Sequence, residues 1–443
     1  MGLVTPETVR KLQTTLHVKA KKSPSFRFYT LYDKVYRLDV LRSAYQQCRR
    51  NGGAPGVDQQ TFEDIESYGA ERWLGELAEA LRTKTYRPAA VRRVHIPKPG
   101  QPGRTRPLGI PTIADRVVMG AAVLVLEPIF EPDLQPEQYA YRPKRSALDA
   151  VRQVHALLNT GYREVVDADL SGYFDTIPHR ELMKSVARRV SDKQMLHLIK
   201  MWLEAPVEEH DERGNPHRST RNRDTKRGCP QGAPISPLLS NLSMRRFVLG
   251  WKVLGHEQRL QARIVNYADD LVICCRSSAD AALAVMREMM STLRLTVNEA
   301  KTHICRIPQE SFEFLGYTFG RCYSTKTGRA YIGTRPSERK LKQLCGTIHE
   351  LTTRRWLWME PKAQVKRLNE MLEGWANYFC LGAASHAYRR VTQHARRRLR
   401  QWLCKKHRVR SGRYTRYSDA WMHQELGLVN LERRKRNFSC AKA

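Results

Sequence analysis

Apolar positions recur at helical spacing over residues 62–84, 114–130, 180–205 and 281–295, which predicts a helix in each stretch. Another helix is predicted to open at Thr5-Pro6-Glu7, where a capping hydroxyl precedes a proline at the first turn. Residues 91–97 alternate apolar and polar and predict a strand. Residues 164–170 form a short apolar run carrying Asp167 and Asp169, and residues 312–319 predict a further strand. Two apolar runs flank Tyr267-Ala268-Asp269-Asp270 within residues 263–275, the pattern of a tight hairpin. Asn51-Gly52-Gly53-Ala54-Pro55-Gly56 marks a loop, and the Pro- and Gly-rich stretch from Lys98 to Arg104 reads as a basic turn. Residues 207–228 are polar and predict an exposed hairpin or loop, and a helix comes after Pro237. From about residue 335 helical spacing dominates. The layout is a mixed α and β body followed by an all-helical tail.

Charge sharpens this picture. The 443 residues carry 77 Lys and Arg against 44 Asp and Glu, and 77 − 44 gives +33. Folding does not require such an excess, and self-repulsion opposes it, so a polyanion, nucleic acid above all, is the expected partner. Residues 335–443 hold 26 basic and 8 acidic side chains, so 26 − 8, or +18, sits in the last quarter. There Arg389-Arg390, Arg396-Arg397-Arg398, Arg400 and Lys405-Lys406 lie on predicted helices with few acids between them, which reads as a set of RNA phosphate contacts. Most of the tail tryptophans are expected in the core, the others stacking on bases. A hydrophobic content of 41% is enough for a real core. No apolar run approaches the roughly 18 residues of a spanning helix, and the N-terminus lacks a signal-peptide pattern. Ten scattered cysteines without a CxxC pair fit reduced thiols in a cytoplasm. No membrane contact is expected.

The adjacent Asp269 and Asp270 repel one another, and hard divalent cations relieve such repulsion. Most Asp-Asp pairs are plain turn residues; here both carboxylates sit between two strands that read as buried. A carboxylate ending the run at 164–170 supplies a third ligand. Three carboxylates around two Mg²⁺ ions suit in-line phosphoryl transfer. Strand alternation puts Asp167 and Asp169 on one face, so alternation does not choose between them. Lys98 and Arg106 flank a basic turn that would suit a triphosphate, although read alone they are a solvated turn.

Taken together and in order, these motifs resemble those of a bacterial group II intron-encoded reverse transcriptase of the kind that also acts as a maturase. The match runs through Ile96-Pro97-Lys98-Pro99 with Arg106-Pro107-Leu108-Gly109-Ile110-Pro111, then Asp167-Ala168-Asp169-Leu170-Ser171-Gly172-Tyr173-Phe174-Asp175. It continues through Pro230-Gln231-Gly232-Ala233-Pro234, Tyr267-Ala268-Asp269-Asp270, Leu295-Thr296-Val297-Asn298-Glu299-Ala300-Lys301-Thr302 and Phe314-Leu315-Gly316-Tyr317. In the tail, Leu372-Glu373-Gly374-Trp375-Ala376-Asn377-Tyr378-Phe379 resembles the thumb segment of the maturase domain.

The resemblance implies an α+β right-hand polymerase, fingers and palm with an antiparallel palm sheet, followed by an all-helical thumb or maturase domain. It divides the chain into an N-terminal extension (1–60), fingers (61–165), palm with primer grip (166–334) and thumb (335–443). It makes Asp169, Asp269 and Asp270 the catalytic, metal-binding carboxylates for two Mg²⁺ ions, with Mn²⁺ as a possible substitute. It assigns Lys98 and Arg106 to the triphosphate, Phe174 to a gate against the ribose 2′-hydroxyl, and Gln231 and Gly232 to the nucleotide. The basic turn is two residues longer than the family's, which leaves Arg104 as the alternative to Arg106. Lys301 is a candidate general acid. The implied partners are group II intron RNA, an RNA template with a DNA primer, dNTPs and target DNA, in a nucleoid-associated ribonucleoprotein.

The implied function is RNA-directed DNA synthesis coupled to intron splicing and retrohoming. The sequence shows no paired cysteines or His-Asn-His pattern of an HNH endonuclease, so a ready-made primer is expected. The alternatives are a domesticated relative in phage defence or CRISPR adaptation, and an RNA-binding splicing cofactor without polymerase activity.

Overall fold

A computed structural model describes residues 6–97, 103, 105–211, 213–324 and 327–434. Its described strands, in chain order, are β1 (Val91–Pro97), β2 (Thr105–Ile110), β3 (Glu164–Ala168), β4 (Val207–His210), β5 (Pro216–Ser219) and β6 (Ala262–Tyr267). They continue with β7 (Asp270–Cys275), β8 (His303–Arg306), β9 (Phe312–Phe314), β10 (Tyr317–Tyr323) and β11 (Ala330–Pro336). They form three sheets, ordered β2-β1-β4-β5, β6-β7-β3-β8 and β11-β10-β9. The second is antiparallel throughout and places β3 between β7 and β8. Helices surround these sheets and make up the C-terminal region, so the class is α+β.

The apolar pattern explains most of this. The helix Ile113–Phe130 is apolar nearly all round, and it is buried under the helices Glu7–Lys22 and Leu38–Asn51. Gly120 permits the close approach, because a Cβ there would sit 3.3 Å from that of Ala44. The first 60 residues therefore share one core with the body of the molecule: Val9 and Leu41 belong to the same apolar cluster as Val117, Trp202 and Trp251. A second cluster joins the helix Ala147–Asn159 to the palm sheet and to Phe312, Phe319 and Phe379. A third, running from Leu341 to Leu431, belongs to the C-terminal helices.

Three predicted elements are subdivided. The helix expected over 62–84 breaks at Gly69, whose φ of +103° separates Phe62–Tyr68 from Ala70–Arg82. The helix expected over 180–205 becomes His179–Ala187 and Lys193–Leu203, the second capped by Asp192. That carboxylate also accepts from the Leu31 and Tyr32 amides, so it ties the N-terminal region to this helix. The strand expected over 312–319 is a hairpin, turning at Leu315 and Gly316, both with positive φ.

The C-terminal helices Glu338–Leu351, Pro361–Tyr378 and Ser385–Lys406 dock on that hairpin through tyrosine hydroxyls. Tyr378 donates to the Leu315 carbonyl at 2.9 Å, Tyr317 donates to the Tyr378 carbonyl, and Tyr388 donates to the Phe379 carbonyl at 3.0 Å. Gly382 completes the junction with a φ of +68° against β11, and the amide of Ala383 bonds the Thr334 carbonyl at 2.8 Å.

A Cβ at Gly382 would collide with the Thr334 carbonyl, and the backbone there is left-handed. Gly382→Ala is therefore expected to destabilise the fold by about 2–4 kcal/mol. Denaturant unfolding with unchanged stability would show that the helices do not depend on this junction.

Candidate active site

The palm sheet puts the three carboxylates at one end. β6 and β7 form the predicted hairpin, with Tyr267 opposite Asp270 and a two-residue turn of Ala268 and Asp269. Ala268 takes a φ of +57°, which tightens the turn. Asn266, fully buried, stabilises it from below by donating to the Ala268 carbonyl at 2.8 Å. β3 pairs with β7 so that Ala168 lies opposite Leu271, and the next residue, Asp169, emerges beside the hairpin turn.

Asp169 is fixed by the segment that precedes β8. The Asn298 amide donates to the Asp169 carbonyl at 2.8 Å, and the Asn298 side chain donates to its carboxylate at 2.9 Å. Lys301 Nζ reaches the same carboxylate oxygen at 2.9 Å. The Asp169 amide in turn donates to Thr302 Oγ1 at 3.3 Å. Asp167 opens on a different cavity, which it shares with Asp270. β3 ends at Ala168 and the chain then bridges Leu170 to Val297, so alternation does not carry through to Asp169. Asp167 faces a second cavity beside Glu313, with His303 at 3.9 Å, whereas Asp169 faces the main one.

The main cavity has a volume of about 1300 Å³. Its walls include Asp169, Asp269 and Asp270 together with Arg106, Phe174, Gln231, Gly232 and Lys301. Of the residues singled out in the sequence for catalysis or nucleotide contact, all but Lys98 meet here; Lys98 and the alternative Arg104 lie outside the described residues. Phe174 is half-buried, packed edge-on to buried Tyr173 at 5.6 Å, and its carbonyl accepts from the Cys229 amide at 2.7 Å. Gln231 and Gly232 come next, on a loop pressed against β2, where the Gly109 amide donates to the Gln231 carbonyl at 2.6 Å. Gly232 has a φ of +105°, and a Cβ there would come within 2.5 Å of the Gly109 carbonyl, so only glycine fits.

Sequence reasoning gave no site role to Asn298, although it stands inside a quoted motif, and did not single out Tyr141 or Arg116, which also line the cavity. Tyr141 is half exposed at a φ of +55°, a placement that no pattern in the sequence announces.

The electrostatics result from this crowding. The carboxyl of Asp270 is raised to about 7, first by the enclosing protein and then by Asp269, Asp167 and Asp169, with Lys301 opposing. Its side chain still meets water, because it opens into the cavities. Asp167 is raised to about 6 by burial, with Asp169 and Glu313 adding and His303 opposing. The donor chemistry therefore suits a hard divalent cation: several carboxylate oxygens with few balancing cations. The three carboxylates do not form a closed cluster. Among the described residues no group of three acidic, His or Cys side chains is gathered at metal-binding distance, and Asp169 is turned to Lys301 and Asn298.

A second cavity of about 740 Å³ adjoins the first and shares Arg106 and Asp270 with it. The hairpin turn at Phe314–Gly316 forms one side, and Arg339, Lys340 and Tyr378 of the C-terminal helices form the other.

The basic helix Ser385–Lys406 departs from expectation. Arg400 is buried, bonding the Tyr417 carbonyl at 2.8 Å and pairing with Asp419. Arg396 pairs with Asp419 and Glu432, and Arg398 donates to Thr352 and to the His349 carbonyl. Lys406 donates to the Leu357 carbonyl at 2.8 Å. These four hold the C-terminal helices together and are not free phosphate contacts. Arg389, Arg390, Arg397 and Lys405 are exposed at helical spacing on one face; Arg390 pairs with Glu338 at 2.6 Å and Arg389 with Glu432 at 3.8 Å.

A carboxyl whose folded pKa lies above its unfolded value of about 3.9 stabilises the fold while protonated, and that contribution fades as pH rises through the folded value. Asp270→Asn is therefore expected to be more stable than the parent at pH 8, by about 1 kcal/mol once solvent access is allowed for, and to match it near pH 4. Thermal unfolding in chelator at the two pH values measures this; a pH-independent difference would contradict the crowding.

Comparison with known proteins accounts for this arrangement. Residues 96–319 match the reverse transcriptase (RNA-dependent DNA polymerase) family, and residues 341–421 match the group II intron maturase-specific domain. The chain is 32% identical to Protein YkfC of Escherichia coli over 75% of its own length and 93% of that protein. It is 31% identical to the group II intron-encoded protein LtrA of Lactococcus lactis over 51% of its length and 36% of that protein. It is 24% identical to the putative COX1/OXI3 intron 1 protein of Saccharomyces cerevisiae, over 78% of its length and 49% of that protein. The chain thus spans less than half of the latter two relatives. Among the described residues no helix is long and apolar enough to cross a membrane. The first matched region holds the sheet end with its three carboxylates and the second holds the docked helices, and the chain belongs to the group II intron reverse transcriptases, RNA-directed DNA polymerases with a maturase domain.

Proposed function

We propose that this protein copies RNA into DNA in the cavity at the end of the palm sheet, and that it binds a cognate group II intron RNA to assist splicing and to copy that RNA during retrohoming. One observation carries the reading of the site: a single cavity is lined by Asp169, Asp269 and Asp270 together with Arg106, Phe174 and the Gln231-Gly232 loop. In this reading the three aspartates hold two Mg²⁺ ions. Ions held there would supply the activation of a primer 3′-hydroxyl and the neutralisation of a triphosphate.

The chain's own groups do the rest. Arg106 enters the cavity from β2 and offers a forked guanidinium to phosphate oxygens. Phe174 stands at the cavity wall with its ring braced by Tyr173, where it excludes a ribose 2′-hydroxyl by its bulk. The Gln231-Gly232 backbone, held against β2, gives the nucleotide a flat wall. Lys301 neutralises Asp169 and stands within reach of the cavity as a proton donor. Asn298 keeps the Asp169 carboxylate oriented by two hydrogen bonds. The second cavity, between the Phe314–Gly316 turn and the C-terminal helices, takes the primer end, with Arg339 and Lys340 toward its phosphates. Arg389, Arg397 and Lys405 form a basic face for intron RNA.

Primer extension on an RNA template with dNTPs and Mg²⁺ tests the site. Asp269→Asn/Asp270→Asn is expected to lose more than about 100-fold in rate, since disturbing even the outer partners of a metal ligand costs that much. Wild-type protein that binds RNA but extends no primer would sink the polymerase reading. Phe174→Ala is expected to keep dNTP incorporation and to raise rNTP incorporation relative to it; an unchanged ratio would remove Phe174 from the gate.

A further inference from the structure

Eight tryptophans occur in the chain, and Trp358 stands apart, with 73% of its surface exposed. It lies in the connection between the helices Glu338–Leu351 and Pro361–Tyr378, away from both cavities. Exposed tryptophan is costly in a folded protein, because a large apolar face stays in water. Trp356 lies beside it, with ring centroids 6.3 Å apart and planes inclined at 41°. The rings are in tilted contact rather than stacked face to face, so most of the Trp358 surface stays open.

The connection is anchored. The short turn Arg354–Trp356 comes just after Thr352, whose hydroxyl accepts from Arg398, and Lys406 bonds the Leu357 carbonyl at 2.8 Å. Leu357 and Met359 face the helical core. With Leu357 and Met359 packed inward, Trp358 is the residue of this turn that stays exposed. Trp356 is held by Arg367, stacked 4.1 Å from its ring centroid, with Arg355 at 5.5 Å on the same ring. Trp356 is thus braced by two arginines, and Trp358 leans on it.

Charge identifies the occupant. Residues 352–367 hold Arg354, Arg355, Lys362, Lys366 and Arg367 against Glu360 alone, so 5 − 1 leaves +4. Arg354, Arg355, Lys362 and Lys366 are exposed, and among the described residues no carboxylate lies within ion-pair distance of them. Exposed aromatic faces rimmed by unpaired cations suit a ligand that carries flat rings and phosphates together. A protein partner would need acidic side chains as well as an apolar face, whereas one unpaired stretch of RNA supplies both features. Paired bases bury their faces in the duplex and leave nothing to stack.

We propose that Trp358, supported by Trp356, is a stacking site for an unpaired base of RNA, with Arg354 and Arg355 on the flanking phosphates. This deepens the RNA-binding part of the function proposed above by placing a contact in the connection before the helix Pro361–Tyr378. It is independent of the basic face on Ser385–Lys406.

Binding of two labelled RNAs, a hairpin with an unpaired purine-rich loop and a blunt duplex, tests it, using the full chain and a series of salt concentrations. Trp358→Ala is expected to weaken hairpin binding by about 5- to 150-fold and to leave duplex binding unchanged. Trp358→Phe, which keeps an aromatic face, is expected to restore most of the affinity. Arg354→Gln/Arg355→Gln is expected to weaken both RNAs and to reduce the salt slope by about 2. Equal loss for hairpin and duplex in Trp358→Ala, or no loss for the hairpin, overturns the proposal. So does a wild-type dimer that Trp358→Ala dissociates, since a second copy would then cover the ring. Wild-type primer extension, read alongside, tests the polymerase site separately; its failure would leave the binding result standing.

Discussion

Three carboxylates sharing one end of one sheet repel each other, and the structure around them is organised to hold that repulsion in place. β3 must lie between β7 and β8 for Asp169 to emerge beside the hairpin that carries Asp269 and Asp270. Buried Asn266 braces the hairpin from within, and Asn298 and Lys301 brace Asp169 from outside. The Asp270 carboxyl is raised by enclosure first and by the neighbouring carboxylates second. The same crowding that makes the sheet end costly in isolation makes it receptive to divalent cations and to the phosphates that accompany them.

The remainder of the molecule sets the shape of that site. The buried helix Ile113–Phe130 and the loop at Gln231-Gly232 form one side of the cavity, where β2 and the loop meet so closely that Gly232 tolerates no side chain. The Leu315-Gly316 turn and the docked C-terminal helices form the other side. Tyrosine hydroxyls make that junction. Those of Tyr317 and Tyr378 bond backbone carbonyls across it, so the helices are registered on the palm rather than merely packed against it.

Much of this was legible in the order of residues. The hairpin at 267–270, strand β1 and the helix after Pro237 arise from periodicity and turn chemistry, and they appear as predicted. The excess of positive charge in the tail was equally visible. Its distribution was not. Arg396, Arg398 and Arg400 share a helix with Arg389 and Arg397, yet they face Asp419, Glu432 and Thr352, which are distant in sequence. A run of arginines gives a helix face only when the neighbours of that helix are known. Trp358 is the converse case: six tryptophans pack with an apolar cluster, Trp356 lies against Arg367 and Trp358 is exposed, and only packing separates them.

By itself, then, the sequence determined the element types, the hairpin that carries two carboxylates, and the family whose motifs it shares, because these depend on local spacing and turn geometry. Tertiary structure decided which cavity each of Asp167 and Asp169 faces. Alternation is a rule for an unbroken strand, and β3 stops one residue short of Asp169, where the chain leaves the sheet to bridge Leu170 to Val297. It also decided which cations are spent on holding helices together and which remain for nucleic acid. Ion pairing falls off over a few ångströms, and only the fold sets those distances.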